Sequence, residues 1–400
     1  MPTSKSVTKE HAMNDAVIVD AVRTPVGKRN GGLSGVHPVD LSAHVLRALT
    51  ERNDLDPSTV DDVLWGCVSQ VGEQAGGVGR YAVLAAGWPE SVTGVTVDRA
   101  CGSSQQSLHF AAAGIISGHY DIAVAGGVES MSRVPIGSAR SATQFGKPFG
   151  PLVRQRYNGV EFNQGVGAEM IAENFGLTRT QLDQHALDSH ERAAAAIDSG
   201  AFENQISPVK TTAEDGTVSV VDTDEGVRRG STLARLGALP TPFKDEGRIT
   251  AANSSQISDG AAALLVTSSA LAARRGWKPI ARVHTVALAG VDPITMATGP
   301  IPATAKALER AGLSLSDIGA FEINEAFASV TLAWLQATGA DYAKLNPLGG
   351  AMALGHPLGG SGARLTTTLV HHMRDNGIRY GLQSMCEAGG QANAMILELI

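Results

Sequence analysis

An internal repeat relates the two ends of the chain and constrains the fold more than any other feature of the sequence. The segment LRALTERNDLDPSTVDDVLWG resembles AKALERAGLSLSDIGAFEIN, and the matched residues lie 258 positions apart (313 − 55). The matches at this offset are Leu55 with Leu313, Ser58 with Ser316, Val60 with Ile318 and Ser103 with Ser361, and Asp121 falls close to Tyr380. Two copies are too few for a solenoid. The repeat therefore predicts a duplicated domain whose two copies pack face to face.

The alternation of short apolar runs with Ala-rich runs predicts α/β layers. The clearest runs are the strands 16–22 and 121–130 and the helices 40–53 and 177–200. Asp40 and Thr178 are the predicted N-caps of the two helices, because each stands directly before or at the start of a helical pattern.

The repeat also divides the chain into domains. We expect a flexible extension over residues 1–14, an N-terminal half over 15–130 that is completed by a segment near 250–275, and a C-terminal half over 276–400. Residues 131–250 form the predicted inserted loop domain, whose first part is rich in Gly, Arg and Ser. An irregular insert beside a duplicated core is a natural place for substrate-binding loops.

Charge and cysteine content exclude several classes of function. The net charge of −7, from 32 basic and 39 acidic residues, argues against nucleic acid as the partner. No apolar run reaches 18 residues, so we expect no membrane span. Three cysteines cannot build a disulfide framework, and their spacing does not match a zinc site. We therefore expect a cytoplasmic protein without a bound metal.

Cys101 raises the first question of chemistry, because it lies in the stretch DRACGSS between a predicted strand and an Ala-rich helix. A small buried core thiol is one interpretation. The other is a nucleophile, because amides and the helix dipole at a helix N-terminus favour the thiolate and can lower the thiol pKa.

Three further polar loops occur in the C-terminal copy, and each places a chemically capable residue among small ones. They contain Asn324 in EINEAFAS, His356 in NPLGGAMALGHPLGGSGARL and Cys386 in SMCEAGGQAN. Taken singly, these residues could be a helix cap, a histidine in a turn and a core thiol. Taken together with Cys101, they supply a nucleophile, a base, a second thiol acid and an amide donor.

The motifs CGSS, NEAFA, NPLGGAMALGHPLGGSGAR and CEAGG, in this order, resemble those of the thiolase family over nearly the whole chain. The resemblance implies an α/β, duplicated thiolase-type fold with a five-layered αβαβα core and an inserted loop domain. It also implies a homodimer or a homotetramer.

The resemblance implies a role for each motif residue. Cys101 would become acylated, His356 would activate it, and Cys386 would protonate the departing acetyl-CoA carbanion. Asn324 would hold a water of the first oxyanion hole, and the amides of Cys101 and Ala388 would form the second. Each oxyanion donor is typically worth about 3–4 kcal/mol.

Coenzyme A is then the implied carrier of the substrate, and no permanently bound cofactor is expected. Its predicted contacts are Arg228, Phe243, Ala251, Ser255, Ile257, Met296, Ala326 and Phe327. A solvated surface residue is the alternative for Arg228, and core packing is the alternative for Phe243 and Met296.

Two departures from the family pattern bear on the substrate. Ala388 stands where the family usually has glycine after the second cysteine. Asn163 and Gln164 stand in FNQGVGAE, where short-chain biosynthetic members often have His-Met-Gly. The second departure favours an acyltransferase of lipid metabolism that cleaves 3-ketoacyl-CoA with CoA, through an acyl-cysteine, over a short-chain acetyl-CoA acetyltransferase.

Two other functions compete with this prediction. A condensing enzyme of the β-ketoacyl synthase type shares the general architecture, but it does not need a second catalytic cysteine such as Cys386. A non-catalytic thiolase-like lipid carrier typically lacks the catalytic residues, whereas all four are present here.

Overall fold

The computed structural model describes residues 15–141, 146–212 and 215–400, and the predicted extension 1–14 lies outside these ranges. The strands are β1 (Val17–Arg23), β2 (Gly27–Lys28), β3 (Asp62–Gly66), β4 (Thr93–Val97), β5 (Ile122–Ser130), β6 (Val209–Thr212), β7 (Val218–Val221), β8 (Ser258–Thr267), β9 (Ala281–Gly290), β10 (Ala320–Ile323), β11 (Tyr380–Glu387) and β12 (Gln391–Leu399). The helices are α1 (Pro38–Asn53), α2 (Val78–Ala85), α3 (Ser103–Ser117), α4 (Ser138–Ser141), α5 (Pro151–Arg156), α6 (Gln164–Asn174), α7 (Arg179–Asp198), α8 (Leu233–Gly237), α9 (Ser269–Arg275), α10 (Pro300–Ala311), α11 (Ala328–Thr338), α12 (Ala351–Leu354) and α13 (Ser361–Asn376).

Within these ranges, all strands except the β6-β7 hairpin belong to one mixed sheet. Its order is β10-β11-β12-β9-β1-β8-β5-β3-β4, and β2 pairs with β8. Strands β9 and β1 pair over only two positions, Val17 with Arg282 and Ile18 with Ala281. The sheet therefore has an N-terminal part, from β1 to β4, and a C-terminal part, from β9 to β10.

The two parts repeat one topology, which confirms the duplication. Strand β10 begins 258 positions after β3 (320 − 62), and the same offset relates β11 to β5 and α13 to α3. The parallel pair β3-β5 corresponds to β10-β11. The antiparallel pair β5-β8 corresponds to β11-β12.

The five-layered core is also confirmed. Helices α1 and α2 cover the outer face of the N-terminal sheet with an apolar cluster that includes Leu46, Val83 and Trp65. Helices α3 and α13 lie between the two parts of the sheet. Helices α10 and α11 cover the outer face of the C-terminal part through residues such as Ala307 and Trp334. Burial of these apolar faces is the main stabilising contribution to such a stack.

Glycines allow the central layer to approach the sheet closely. A Cβ on Gly362 of α13 would lie 2.3 Å from the backbone nitrogen of Gln105 of α3. A Cβ on Gly127 of β5 would lie 2.2 Å from the carbonyl oxygen of Gly359. No real Cβ tolerates such distances, so only glycine lets the turn before α13 rest on β5.

The segment between β5 and β8 holds α4 to α8 and the β6-β7 hairpin, and its helices α6 and α7 pack on α11 and α12. Thr178 caps α7 in a capping box with Gln181, as predicted. The prediction of Asp40 as the N-cap of α1 is wrong, because the helix begins at Pro38 and is capped by His37, whose Nδ1 accepts from Val39 N. Proline favours the first helical position, so the helix starts earlier. The limits 131–250 of the inserted domain stay a prediction.

Candidate active site

The four residues singled out by sequence lie at the ends of elements in both halves of the fold. Cys101 precedes α3, Asn324 follows β10, His356 lies between α12 and α13, and Cys386 stands near the end of β11. All four are buried, and Cys101 is the most exposed of them at 6%. These four side chains are therefore shielded from bulk water.

The turn that carries Cys101 is held in an unusual conformation. Ala100 has a φ of 45°, in the left-handed region that non-glycine residues rarely adopt. The Ser103 hydroxyl donates to the carbonyl oxygen of Ala100 across 2.6 Å and accepts from Arg99 N across 2.9 Å. These bonds fix the backbone of the thiol-bearing residue at the N-terminus of α3.

The hydrogen bonds of His356 define which ring nitrogen is free. Ser361 Oγ donates to the carbonyl oxygen of Pro357 (2.8 Å), so the same hydroxyl accepts from His356 Nδ1 (2.6 Å). With the proton on Nδ1, Nε2 carries a lone pair, and Asn324 Nδ2 approaches it to 3.5 Å. Burial, and next the charge of Arg364, lower the pKa of His356 to about 3. The ring is therefore a neutral base.

Cys386 and Asn324 are neighbours as well. Burial and then the charge of Glu387 raise the pKa of Cys386 to about 12, and a hydrogen bond with the Asn324 side chain opposes this rise. Asn324 Oδ1 has no hydrogen-bond partner among the described residues, although it is buried. A buried amide oxygen with a free lone pair is suited to hold a water or a ligand donor.

Cys101 stays protonated in the resting protein, contrary to the expected lowering of its pKa. Burial raises this pKa well above its usual value, and Cys386 and Glu387 add to the rise. The desolvation of a thiolate thus outweighs the field of the helix N-terminus. Cys101 packs against Leu358, two residues after His356, and it lies within electrostatic reach of Cys386. A thiolate at Cys101 consequently requires a base.

Two buried carboxylates that sequence reasoning missed hold the loops of the site. Glu129 accepts from Val68 N and Ser69 N of one half and from Gly359 N of the other, at 2.9 to 3.0 Å. Glu325 accepts from Ser189 Oγ at 2.7 Å and from Met352 N at 3.1 Å. Ser361 fixes the tautomer of His356. The sequence indicates this serine only as the residue of the second copy that matches Ser103. The sequence feature that could have indicated Glu129 is an acidic residue at the end of an apolar strand, in GGVES.

Five of the predicted CoA contacts lie around the two thiols. Phe327 belongs to one apolar cluster with Cys386, and Ala326 packs against it. Ile257 packs against the cluster that contains Cys101. The remaining two are Ser255, whose amide donates to the Ala326 carbonyl oxygen at 2.9 Å, and Phe243, whose ring meets that of Phe327 edge-on at 6.2 Å. Phe243 is 38% exposed, so simple core packing does not describe it.

The other three predicted contacts are less closely joined to the thiols. Met296 is buried in the loop before α10 with a φ of 59°. Arg228 is exposed and its amide donates to His190 Nδ1 across 3.1 Å. Ala251 is exposed in the loop before β8.

The residues that depart from the family pattern have ordinary structural surroundings. Asn163 caps α6, with Oδ1 accepting from the amides of Gly165 and Val166, and both Asn163 and Gln164 are exposed. Ala388 is half-buried at the start of the β11-β12 turn. Among the ranges 15–141, 146–212 and 215–400, no group of three His, Cys, Asp or Glu side chains is arranged to hold a metal, and no helix is long and apolar enough to cross a membrane.

A duplicated α/β stack with two buried thiols, a neutral histidine and an amide at the junction of its halves defines an acyl-transfer enzyme. Comparison with known proteins is specific: the profile of the thiolase N-terminal domain matches residues 16–270, and that of the thiolase C-terminal domain matches residues 277–399. The chain belongs to the thiolase family.

Curated relatives and a solved structure agree with this assignment. The chain is 51% identical to the steroid 3-ketoacyl-CoA thiolase FadA6 of Mycobacterium tuberculosis, over 96% of this chain and 94% of that protein. It is 44% identical to the beta-ketoadipyl-CoA thiolase of Escherichia coli, over 97% of this chain and 100% of that protein. The acetyl-CoA acetyltransferase of Bacillus anthracis superposes with a TM-score of 0.89 at 37% identity, covering 97% of this chain and 100% of that one. The expected activity, thiolytic cleavage of 3-ketoacyl-CoA by an acyltransferase, is confirmed.

Proposed function

We propose that Cys101 is the nucleophile, that His356 is its base, that Cys386 is the acid that protonates the leaving carbanion, and that Asn324 supports an oxyanion. The observation that carries this proposal is the chain of contacts from Cys386 through Asn324 to the unprotonated Nε2 of His356. These contacts bring a base, an acid and a hydrogen-bond donor together in one buried site, which is the combination that acyl transfer requires.

The first half-reaction follows from these positions. Cys101 transfers its proton to His356 Nε2, and its sulfur attacks the 3-keto carbon of the substrate. The bond between C2 and C3 breaks as the oxyanion collapses, and its electron pair forms the enolate of acetyl-CoA. Cys386 gives its proton to C2 of this enolate and becomes a thiolate. Its raised pKa makes it a weak acid at rest, so it gives up the proton only to a strong base such as the enolate.

The second half-reaction restores both thiols. The thiol of CoA gives its proton to the Cys386 thiolate, and the CoA sulfur attacks the acyl carbon on Cys101. The C–S bond to Cys101 breaks, the shortened acyl-CoA leaves, and Cys101 recovers its proton from His356. The amides of Cys101 and Ala388 are the proposed donors to the second oxyanion. CoA enters and leaves as a substrate, so the reaction needs no permanently bound cofactor.

The proposed CoA channel follows Ser255, Ile257, Ala326, Phe327 and Phe243 to the protein surface. The exposed ring of Phe243, which meets Phe327 edge-on, supports this path, because an exposed aromatic pair offers an apolar wall to a ligand. Met296, Ala251 and Arg228 would extend it, with the guanidinium of Arg228 meeting a phosphate.

An acyl substrate longer than acetoacetyl-CoA is favoured. The relatives at 51% and 44% identity are named for steroid and beta-ketoadipyl substrates, whereas the acetyltransferase is 37% identical. Each extra buried methylene is worth about 0.8 kcal/mol. We expect kcat/KM for thiolysis to rise from acetoacetyl-CoA to medium-chain or branched 3-ketoacyl-CoA. A preference for acetoacetyl-CoA, with no thiolysis of longer chains, would assign the short-chain activity instead. The sequence also has a Gly-rich stretch over residues 137–159, whose small residues would leave room for a longer acyl group, but residues 142–145 of it lie outside the described ranges.

Assembly and location complete the proposal. Strand β4 ends the sheet with a free edge, and Val95, Tyr81 and Phe110 on β4 and its neighbouring helices are 44% to 46% exposed. Such an edge with apolar side chains suits a second copy of the chain, so we propose a homodimer or a dimer of dimers. All three cysteines are free, which suits a reducing compartment such as the cytoplasm.

The direct test is covalent. The protein is incubated with acetyl-CoA, and its peptides are examined for an acetyl adduct. We expect the adduct on Cys101 and none in the Cys101→Ser variant. An adduct chiefly on Cys67 would contradict the assignment of Cys101 as the nucleophile. The absence of both the adduct and thiolysis would favour a non-catalytic lipid carrier.

A further inference from the structure

Glu387, which lies between Cys386 and Ala388, has no role in the mechanism above. It is the last residue of β11 and pairs with Gln391 of β12. Its side chain is fully buried, and its carboxyl is sparsely satisfied: it interacts with the backbone amide of Asn393 and, at 3.9 Å, with Arg99. Buried carboxylates are almost always hydrogen-bonded, and leaving one unpaired is costly. A sparsely satisfied buried carboxyl beside a reacting thiol therefore points to a role in the chemistry.

The carboxyl of Glu387 lies against the turn that carries the nucleophile. A Cβ on Gly102 would lie 2.0 Å from Glu387 Oε1, so the oxygen touches the backbone of the residue after Cys101. Gly102 is also the N-cap of α3. The side-chain amide of the nearby Asn393 donates to the Gly102 carbonyl oxygen at 3.1 Å. Glu387 thus adjoins Cys386 along the strand and Cys101 across the turn.

The charges that face this carboxyl are few. Arg99, in the loop before α3, brings Nη1 to 3.9 Å from Oε2 and donates to Gln391 Oε1 at 3.0 Å. Gln391 and Asn393 of β12 are uncharged, and the two thiols are the titratable groups on the remaining sides. Burial raises the pKa of Glu387 to about 8, against the opposing effect of Arg99. The carboxyl therefore changes its charge near pH 8.

We propose that Glu387 is a positioning residue whose ionised carboxylate opposes a free thiolate at Cys101 and at Cys386. Like charges at short distance in a water-poor site repel strongly. The thiols then stay protonated until His356 or a substrate carbanion takes the proton, and they are protected from adventitious alkylation. This inference rests on the proposed function, because it concerns the same two cysteines.

The test compares the alkylation of these cysteines in the wild type and in Glu387→Gln, from pH 6 to pH 10. Iodoacetamide is the probe, and peptide mass spectrometry reports Cys101 and Cys386 separately. Below about pH 7 the wild-type carboxyl is neutral, so the two proteins should react at the same rate. Above about pH 9 the variant should react roughly tenfold faster. This factor corresponds to a thiol pKa that is about one unit lower when the neighbouring negative charge is removed.

Two further variants separate a charge effect from a structural one. Arg99→Gln removes the cation beside the carboxyl and should raise the pKa of Glu387. In this variant, the pH above which the cysteines react more slowly than in Glu387→Gln should therefore be higher than in the wild type. Glu309→Gln, the same substitution at an exposed carboxylate of α10, should follow the wild-type curve. A loosened turn would accelerate alkylation by one factor at every pH and would also expose the buried Cys67.

Parallel rate curves for the wild type and Glu387→Gln, or faster alkylation of the variant already at pH 6, would overturn the proposal. Thiolysis of 3-ketoacyl-CoA by the wild type is measured separately. If the wild type and Glu387→Gln show no difference in alkylation but the wild type catalyses thiolysis, only the role of Glu387 is refuted, and the proposed function stands. Absence of thiolysis and of the acetyl adduct refutes the proposed function.

Discussion

At the scale of single residues, burial decides the protonation of the site. Desolvation disfavours every charged form, so it raises the pKa values of Cys101 and Cys386 and lowers that of His356. The resting site consists of two thiols and a neutral imidazole. In the proposed mechanism, a proton therefore moves only when a substrate supplies a carbonyl carbon to attack or a carbanion to protonate.

Cys386→Ala is expected to separate the two halves of the reaction. The variant lacks the proposed acid for C2, so exchange of deuterium into the methyl group of acetyl-CoA should fall to background. Acylation of Cys101 from a good acyl donor, whose leaving group needs no proton, should persist at least in part, because the proposed base His356 is still present. The matched control is Cys67→Ala, another buried thiol, which should exchange normally. Wild-type exchange in Cys386→Ala would make another residue the acid.

Ser361→Ala tests the tautomer of His356. Without the Ser361 hydroxyl, Nδ1 loses its acceptor, and the proton is free to move to Nε2, where it blocks the base. We expect kcat to fall by at least about tenfold with little change in KM, because positioned proton transfer contributes about 10²–10⁴. Ser107→Ala is the control, since Ser107 is also a buried helical serine that donates to a carbonyl oxygen four residues earlier. Equal activity of both variants would rule out this role.

At the scale of elements, the active-site loops depend on contacts between the two halves. The turn before α13 rests on β3 and β5, where Gly66, Gly127 and Gly359 bring backbone against backbone. Glu129 ties the same turn to the loop after β3. The position of His356, three residues before Gly359, is therefore set by strands of the opposite half.

Gly127→Ala is the prediction at this scale. The new methyl group would lie 2.2 Å from the Gly359 carbonyl oxygen, so the turn must shift. We expect the free energy of unfolding to fall by about 1–3 kcal/mol, measured by urea denaturation, and thiolysis to fall with it. Gly35→Ala is the control, because a Cβ there meets no atom within 4 Å. A variant as stable and as active as the wild type would show that the contact does not constrain the turn.

At the scale of the whole molecule, the free edge of β4 is the place where the proposed dimer forms. Lysine on an edge strand opposes pairing with another chain. Val95→Lys is therefore expected to reduce the molar mass, measured by light scattering after gel filtration, to that of one chain. The control is Val218→Lys, at an exposed valine of the β6-β7 hairpin, which should leave the mass unchanged. A dimer that persists in Val95→Lys would place the interface elsewhere.

The sequence by itself determined the duplication, the α/β layers and the four residues of the proposed site. Repeats, apolar runs and residue types in motifs can be recognised in the sequence itself, without knowing which residues are in contact in the folded protein. The N-cap of α1 was misplaced because Pro38 outweighs Asp40, although both signals are local.

Only the tertiary structure decided the protonation of the site and its supports. The high pKa of Cys101 and the buried carboxyl of Glu387 arise from packing between elements that are distant in sequence, and the tautomer of His356 depends on the hydrogen bonds that Ser361 makes in the folded turn. Glu129 and Glu325 act through partners in other loops, so no single motif reveals them. The physical reason is that desolvation and hydrogen-bond geometry are properties of the packed molecule, whereas the sequence shows only the groups that take part.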